Sequence, residues 1–126
     1  MPMNILLAED NGINQVLAMR ILERMGYQAD LATNGIEVLD LMTRRRYDLV
    51  LMDVHMPEMD GLEATRRIRE RWPQSERPKI IAMTANAMEE DRKRCLDAGM
   101  DDYLSKPVQA RQLQAAVEKW ARRSLS

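Results

Sequence analysis

Five short apolar runs, separated by longer segments whose apolar residues recur every three or four positions, constrain this chain more than any other feature of it. The pattern predicts an α/β fold of parallel strands joined by helical crossovers, because a parallel connection must travel back along the sheet and a helix does so compactly. Strands are expected at 4–8, 28–32, 48–52, 79–83 and 102–105, and helices at 13–25, 35–45, 62–71, 88–98 and 109–122. Leu49-Val50-Leu51-Met52 and Ile80-Ile81-Ala82-Met83 are continuous, as central strands covered on both faces require. Gln28-Ala29-Asp30-Leu31-Ala32 alternates and is placed at an edge. Gly26 and Gly99 stand where helix C-terminal glycines belong, and Trp72-Pro73 stops the third helix. In the last helix Leu113, Ala116, Val117 and Trp120 make one core-facing stripe, with Ser124-Leu125-Ser126 as a frayed end.

With 126 residues, 45% of them apolar and 31% charged, the chain reads as one globular domain, residues 1–126. A formal net charge of −1 supplies no basic field, so nucleic acid binding by this segment is not expected. No apolar stretch nears the roughly 20 residues that span a bilayer, and no membrane contact is expected either. Cys95 is the only cysteine, so no intramolecular disulfide can form. Together with the lack of a signal-peptide pattern, this fits a reducing cytoplasm.

Right-handed crossovers bring the C-terminal ends of parallel strands to one edge of the sheet, where ligands of such folds bind. Strand one ends in Glu9-Asp10, strand three in Asp53, strand four in Thr84 and strand five in Lys106, while the edge strand ends apart in Thr33-Asn34. Three carboxylates at one edge repel unless their pKa values rise or a cation neutralises them. An all-oxygen donor set favours a hard ion, Mg²⁺ or Mn²⁺, over zinc. Lys106 and the Thr84 hydroxyl are then available to hold phosphate oxygens. In-line nucleophile, metal and fixed donors are the parts phosphoryl transfer requires. Asp53 is the natural nucleophile, since it ends a central strand and is followed by the turn Val54-His55-Met56-Pro57.

In these residues the chain resembles the response-regulator receiver family of two-component signalling, over essentially its whole length. The matching pieces are Glu9-Asp10-Asn11, 53–61 (Asp53-Val54-His55-Met56-Pro57-Glu58-Met59-Asp60-Gly61), Met83-Thr84-Ala85 and 101–107 (Asp101-Asp102-Tyr103-Leu104-Ser105-Lys106-Pro107). The resemblance implies a flavodoxin-like five-stranded sheet of order 2-1-3-4-5 with five helices. It implies phosphorylation of Asp53, direct Mg²⁺ ligation by Asp10, Asp53 and the backbone carbonyl of His55, and a contribution from Glu9 through water. It further implies a cis Lys106-Pro107 peptide, a small Ala85 that admits the phosphate, and Tyr103 as the switch partner of Thr84. Asn14-Gln15 and 83–87 (Met83-Thr84-Ala85-Asn86-Ala87) look most like receivers of hybrid sensor histidine kinases. The implied activity is self-catalysed phosphoryl acceptance and autodephosphorylation, with a sensor kinase or histidine phosphotransfer domain as donor.

The remaining features have plainer readings. His55, the only histidine, is expected to face solvent and, like Asn86, to tune hydrolysis by bulk. Cys95 is expected to be a packed thiol, and Arg44-Arg45-Arg46 a solvated helix end favoured by the helix dipole. Most of the eleven methionines are expected to fill core and loops. Helix one carries Ile13, Val16, Leu17, Ala18, Met19, Ile21, Leu22 and Met25, more apolar residues than one stripe needs, so some must face outward, and that surplus is expected to dock the phosphohistidine donor. A haloacid dehalogenase type phosphatase places an acid two residues after its nucleophile, where this chain has His55. A flavin module would need aromatic walls, and phenylalanine is absent. A degenerate receiver acting only as an adaptor is the remaining alternative.

Overall fold

A computed structural model describes residues 3–85 and 88–124, the side chains of 123 and 124 apart. Its elements in chain order are β1 (Ile5–Ala8), α1 (Gly12–Arg24), β2 (Ala29–Ala32), α2 (Gly35–Arg44), β3 (Leu49–Asp53), α3 (Gly61–Arg71), a 3₁₀ turn (Gln74–Glu76), β4 (Lys79–Thr84), α4 (Glu89–Ala98), β5 (Asp102–Ser105) and α5 (Ala110–Ser124). The strands are all parallel, in the order β2-β1-β3-β4-β5. The expected boundaries hold to within two residues. Leu125, Ser126 and Asn86 lie outside the described residues.

Burial explains why the central runs are continuous. Leu6, Val50, Met52 and Ile80 face a core closed by α2, α3 and α4, and the alternate residues Ile5, Leu7, Leu51 and Ile81 face a second core closed by α1 and α5. Apart from polar residues at their ends (Asp53 on β3, Lys79 and Thr84 on β4), the central strands are therefore apolar at successive positions, as sheets covered on both sides require. The α5 stripe Leu113, Ala116, Val117 and Trp120 is wholly buried in the second core.

Polar caps start α1, α2 and α3 where they leave the sheet's C-terminal edge. Asn11 accepts from the N–H groups of Ile13 and Asn14, Asn34 from Glu37 and Asp60 from Glu63, satisfying donors that the first helical turn leaves unpaired. At the other ends, Gly26 and Gly99 have φ of 91° and 110°, the left-handed backbone that favours glycine. Trp72 is extended before Pro73 and ends α3.

One expectation needs correction. The Arg44-Arg45-Arg46 run is not simply a solvated helix end. Only Arg44 is helical, pairing with Asp40 one turn earlier. Arg45 is extended and donates to Asp30 (3.1 Å) and Asn4 (3.0 Å), while Arg46 donates to the Ser75 carbonyl (2.8 Å). The run ties the α2–β3 connection to β2 and to the turn before β4, because long guanidinium stems reach acceptors far away in sequence.

Candidate functional site

Of the described residues, four with polar or charged side chains are buried: Glu9, Asp53, Thr65 and Thr84. Thr65 donates to the Gly61 carbonyl inside α3. The other three sit at the C-terminal edge of the sheet, just past or at the ends of β1, β3 and β4. Parallel crossovers have carried them together from sequence positions tens of residues apart.

Their common partner is Lys106, which follows β5. Its ammonium lies 2.7 Å from Asp53 Oδ2 and 3.0 Å from Glu9 Oε1. Its backbone N–H donates to the Thr84 carbonyl (2.8 Å), so β4 fixes where the lysine starts, and the peptide bond to Pro107 is cis. The second oxygen of Asp53 accepts from the His55 N–H (3.2 Å), and that of Glu9 from the Asn11 N–H (3.2 Å). Gln15, one turn into α1, donates its side-chain amide to the Glu9 carbonyl (2.7 Å) and steadies the β1–α1 turn.

Two carboxylates on one ammonium leave a negative surplus. Burial, then the hydrogen-bonded Glu9, pushes Asp53 up to about 7 against the opposing pull of Lys106. Burial also works against ionised Glu9, but its bonds with Asp53, Lys106 and Asn11 prevail and hold it below its ordinary value. Lys106 resists the same burial through its two acidic partners and stays above its ordinary value. The acidic pair therefore holds a proton more tightly than an isolated carboxyl does, with Asp53 shifted upward and Glu9 downward. Asp10 projects beside them, exposed, and carboxylate oxygens of Glu9, Asp10 and Asp53 all lie within 4.8 Å of one another. A hard cation fits this all-oxygen set.

The loop after Asp53 is built around that residue. Gly61 donates its N–H to the Val54 carbonyl (2.9 Å), and a Cβ at Gly61 would overlap the Asp53 carbonyl oxygen, so only glycine admits this approach. Glu58 has a φ of 66°, a left-handed conformation costing about 1 kcal/mol or more in a non-glycine residue, of the kind that clusters at functional loops. His55 is exposed and Met56 buried, so the alternation of the turn sends the imidazole outward as expected. Ala85 and Pro107 are exposed beside the site, and Tyr103 is half-buried on β5. Thr33 and Asn34 stand apart, engaged with Glu37.

Sequence reasoning assembled Glu9, Asp10, Asp53, Thr84 and Lys106 from strand ends alone. It missed that Glu9 pairs directly with Lys106, and it missed the supporting roles of Gln15, Asn11 and the His55 N–H. The signal for Asn11 was present, since asparagine before a helical stretch is a capping residue.

The sequence profile described as the response regulator receiver domain matches residues 5–118. The chain is 46% identical over 121 residues to the hybrid signal transduction histidine kinase K of Dictyostelium discoideum, covering 90% of this chain and 10% of that protein. It spans 15% or less of the length of such curated relatives. Among solved structures, it resembles the receiver domain of sensor histidine kinase PA1611 from Pseudomonas aeruginosa, which has a magnesium ion coordinated in its active site cleft. The identity is 43% and the TM-score 0.85, covering 95% of this chain and 98% of that one. The receiver domain of Ssk1 from Saccharomyces cerevisiae, crystallised with the histidine phosphotransfer protein Ypd1, matches at 31% identity and a TM-score of 0.86 over 94% of this chain and 88% of that one. With its flavodoxin-like strand order, its acidic edge and its matched motifs, the chain belongs to the response regulator receiver domain family.

Proposed function

We propose that Asp53 accepts a phosphoryl group from a phosphohistidine donor and that Lys106, Thr84 and a bound Mg²⁺ ion make the transfer possible. The observation that carries this reading is the pair of buried carboxylates, Glu9 and Asp53, sharing one ammonium beside exposed Asp10. Asp10, Asp53 and the His55 carbonyl would hold the ion, with Glu9 acting through water; Mn²⁺ meets the same ligand chemistry. When bound, the cation supplies charge neutralisation between carboxylate and phosphoryl oxygens. A carboxylate oxygen of ionised Asp53 attacks phosphorus in line, the bond from phosphorus to the donor nitrogen breaks, and that nitrogen leaves with the electron pair. Lys106, now on Asp53, moves onto a phosphoryl oxygen, and the Thr84 hydroxyl takes another. Exposed Ala85 leaves room for the group, with Pro107 beside it. Drawing Thr84 toward the phosphoryl group opens space for the Tyr103 ring, which shifts a two-state balance across α4, β5 and α5. Water later attacks phosphorus, the bond from phosphorus to the Asp53 oxygen breaks, and inorganic phosphate leaves as the Asp53 carboxylate is restored.

The donor is a sensor histidine kinase or a histidine phosphotransfer domain, docking on α1. Ile13, Val16 and Leu17 are exposed there next to the acidic edge, an apolar group that the core does not use. The single buried Cys95 fits a reducing, cytoplasmic setting, and among the described residues no helix is long and apolar enough to cross a membrane.

Incubation with Mg²⁺ and acetyl phosphate should add one phosphate by mass, and Asp53→Asn should abolish it. Val16→Glu should leave that labelling intact while slowing transfer from a phosphohistidine donor. Full labelling of Asp53→Asn, or undiminished labelling of the wild type in excess chelator, would refute the assignment. A wild type that takes no phosphate would be an adaptor.

A further inference from the structure

Tyr103 has a partner that the phosphoryl site does not account for. Its ring is half-buried against the core beneath α2, α3 and α4, and the guanidinium carbon of Arg92, on α4, lies over it 5.1 Å from the centroid. Arg92 stands one turn before buried Cys95, so the helix that closes this core also delivers a cation to the ring face. Among the described residues Arg92 makes no ion pair, although its neighbour Asp91 pairs with Arg94 at 3.8 Å. The ring is therefore its one directed partner among those residues. A planar guanidinium stacks on an aromatic face through both charge and dispersion, and an ammonium does so less well.

Resting on the reading of Thr84 and Tyr103 as the switch, we propose that Arg92 is a latch holding Tyr103 in its unphosphorylated position. For the ring to turn toward the space beside Thr84 it must leave the guanidinium, so the contact favours the resting state and ties α4 to the position of a β5 side chain. A cation over a partly exposed ring contributes about 0.5–1 kcal/mol, which sets the resting balance by roughly two- to fivefold. An effect of that size biases a switch without locking it. Phosphorylation can overcome it, and loss of the arginine leaves the site itself intact.

The test is NMR of the full chain with labelled tyrosine and arginine, free and loaded with beryllofluoride and Mg²⁺. In the free wild type the Arg92 side-chain resonances should be shifted upfield by the ring, and loading should remove that shift. Arg92→Met keeps the stem without the cation. In the free variant the Tyr103 resonances should move toward their loaded positions by an amount matching a two- to fivefold change in the balance, and the beryllofluoride midpoint should fall by the same factor. Arg92→Lys should lie between. Unchanged Tyr103 resonances in Arg92→Met, or an upfield Arg92 shift that persists in the loaded wild type, overturn the latch and leave the switch standing. Tyr103 resonances in the wild type that do not respond to loading overturn the switch and the latch together. Amide spectra away from α4 and β5 that superimpose on the wild type establish that the variants are folded.

Discussion

The acidic edge and the edge of β2 both join carboxylates to cations at short range, yet they are different kinds of object. At β2, Asp30 Oδ2 accepts from the Tyr47 hydroxyl (2.6 Å) and from Arg45 (3.1 Å), whose other nitrogen reaches Asn4 and whose guanidinium lies over the Tyr47 ring at 5.9 Å. One carboxylate meets one guanidinium, the charges cancel, and the Asp30 side chain keeps 41% of its surface in water. At the acidic edge two carboxylates, 2% and 3% exposed, share one ammonium with a third acid alongside. The first arrangement is complete as it stands. The second carries surplus negative charge that a proton or a further cation relieves, the property on which the proposed metal and phosphoryl binding rests. Surplus charge combined with burial, rather than the presence of an ion pair, separates a site from a structural tie.

The sharpest way to break this comparison is to remove Asp10, the proposed exposed ligand. Asp10→Asn should weaken Mg²⁺ binding by at least about 10–100-fold, since even outer-shell partners of metal ligands cost that much. Asp30→Asn should not change it. A Mg²⁺ titration followed by thermal unfolding reads both, and equal midpoints for Asp10→Asn and the wild type would show that the acidic edge is not the metal site.

A smaller effect concerns pH in the metal-free protein. Asp53 holds its proton up to about 7 when folded and releases it near 3.8 when unfolded. Between those values the folded state binds the extra proton, so stability falls as pH rises from about 4 to about 7 and then levels. Asp53→Asn should flatten that slope and be more stable than the wild type at pH 8 by roughly 1–3 kcal/mol, the cost of a buried group without full partners. Asp30→Asn should keep the slope. Denaturant unfolding at several pH values in chelator decides, and a slope that survives in Asp53→Asn would place the proton elsewhere.

The smallest effect is expected at the balanced cluster. Tyr47→Phe removes a hydroxyl that burial, and then its bond to Asp30, push up to about 12. Because Asp30 is well exposed and keeps Arg45, the loss of stability should be only about 1 kcal/mol. Phosphorylation from acetyl phosphate should be unaffected. A Tyr47→Phe protein that folds normally but labels slowly would mean that the two clusters are coupled.

Patterning was enough for parallel strands with helical crossovers and for which residues end those strands, while the strand order came from the family resemblance. Apolar continuity in β3 and β4 demands cover on both faces, parallel crossovers then bring the strand ends to one edge, and the residues at those ends are Glu9, Asp10, Asp53, Thr84 and Lys106. These inferences hold because strand period, crossover handedness and chain order are local or topological properties. The sequence left open which charge meets which. That Lys106 bridges Glu9 and Asp53, that Arg45 and Arg46 serve as ties, and that Arg92 covers Tyr103 are matters of packing between side chains distant in the chain. Their torsions and burial are set only once the helices have closed over the sheet, and burial then decides the energy of each pair.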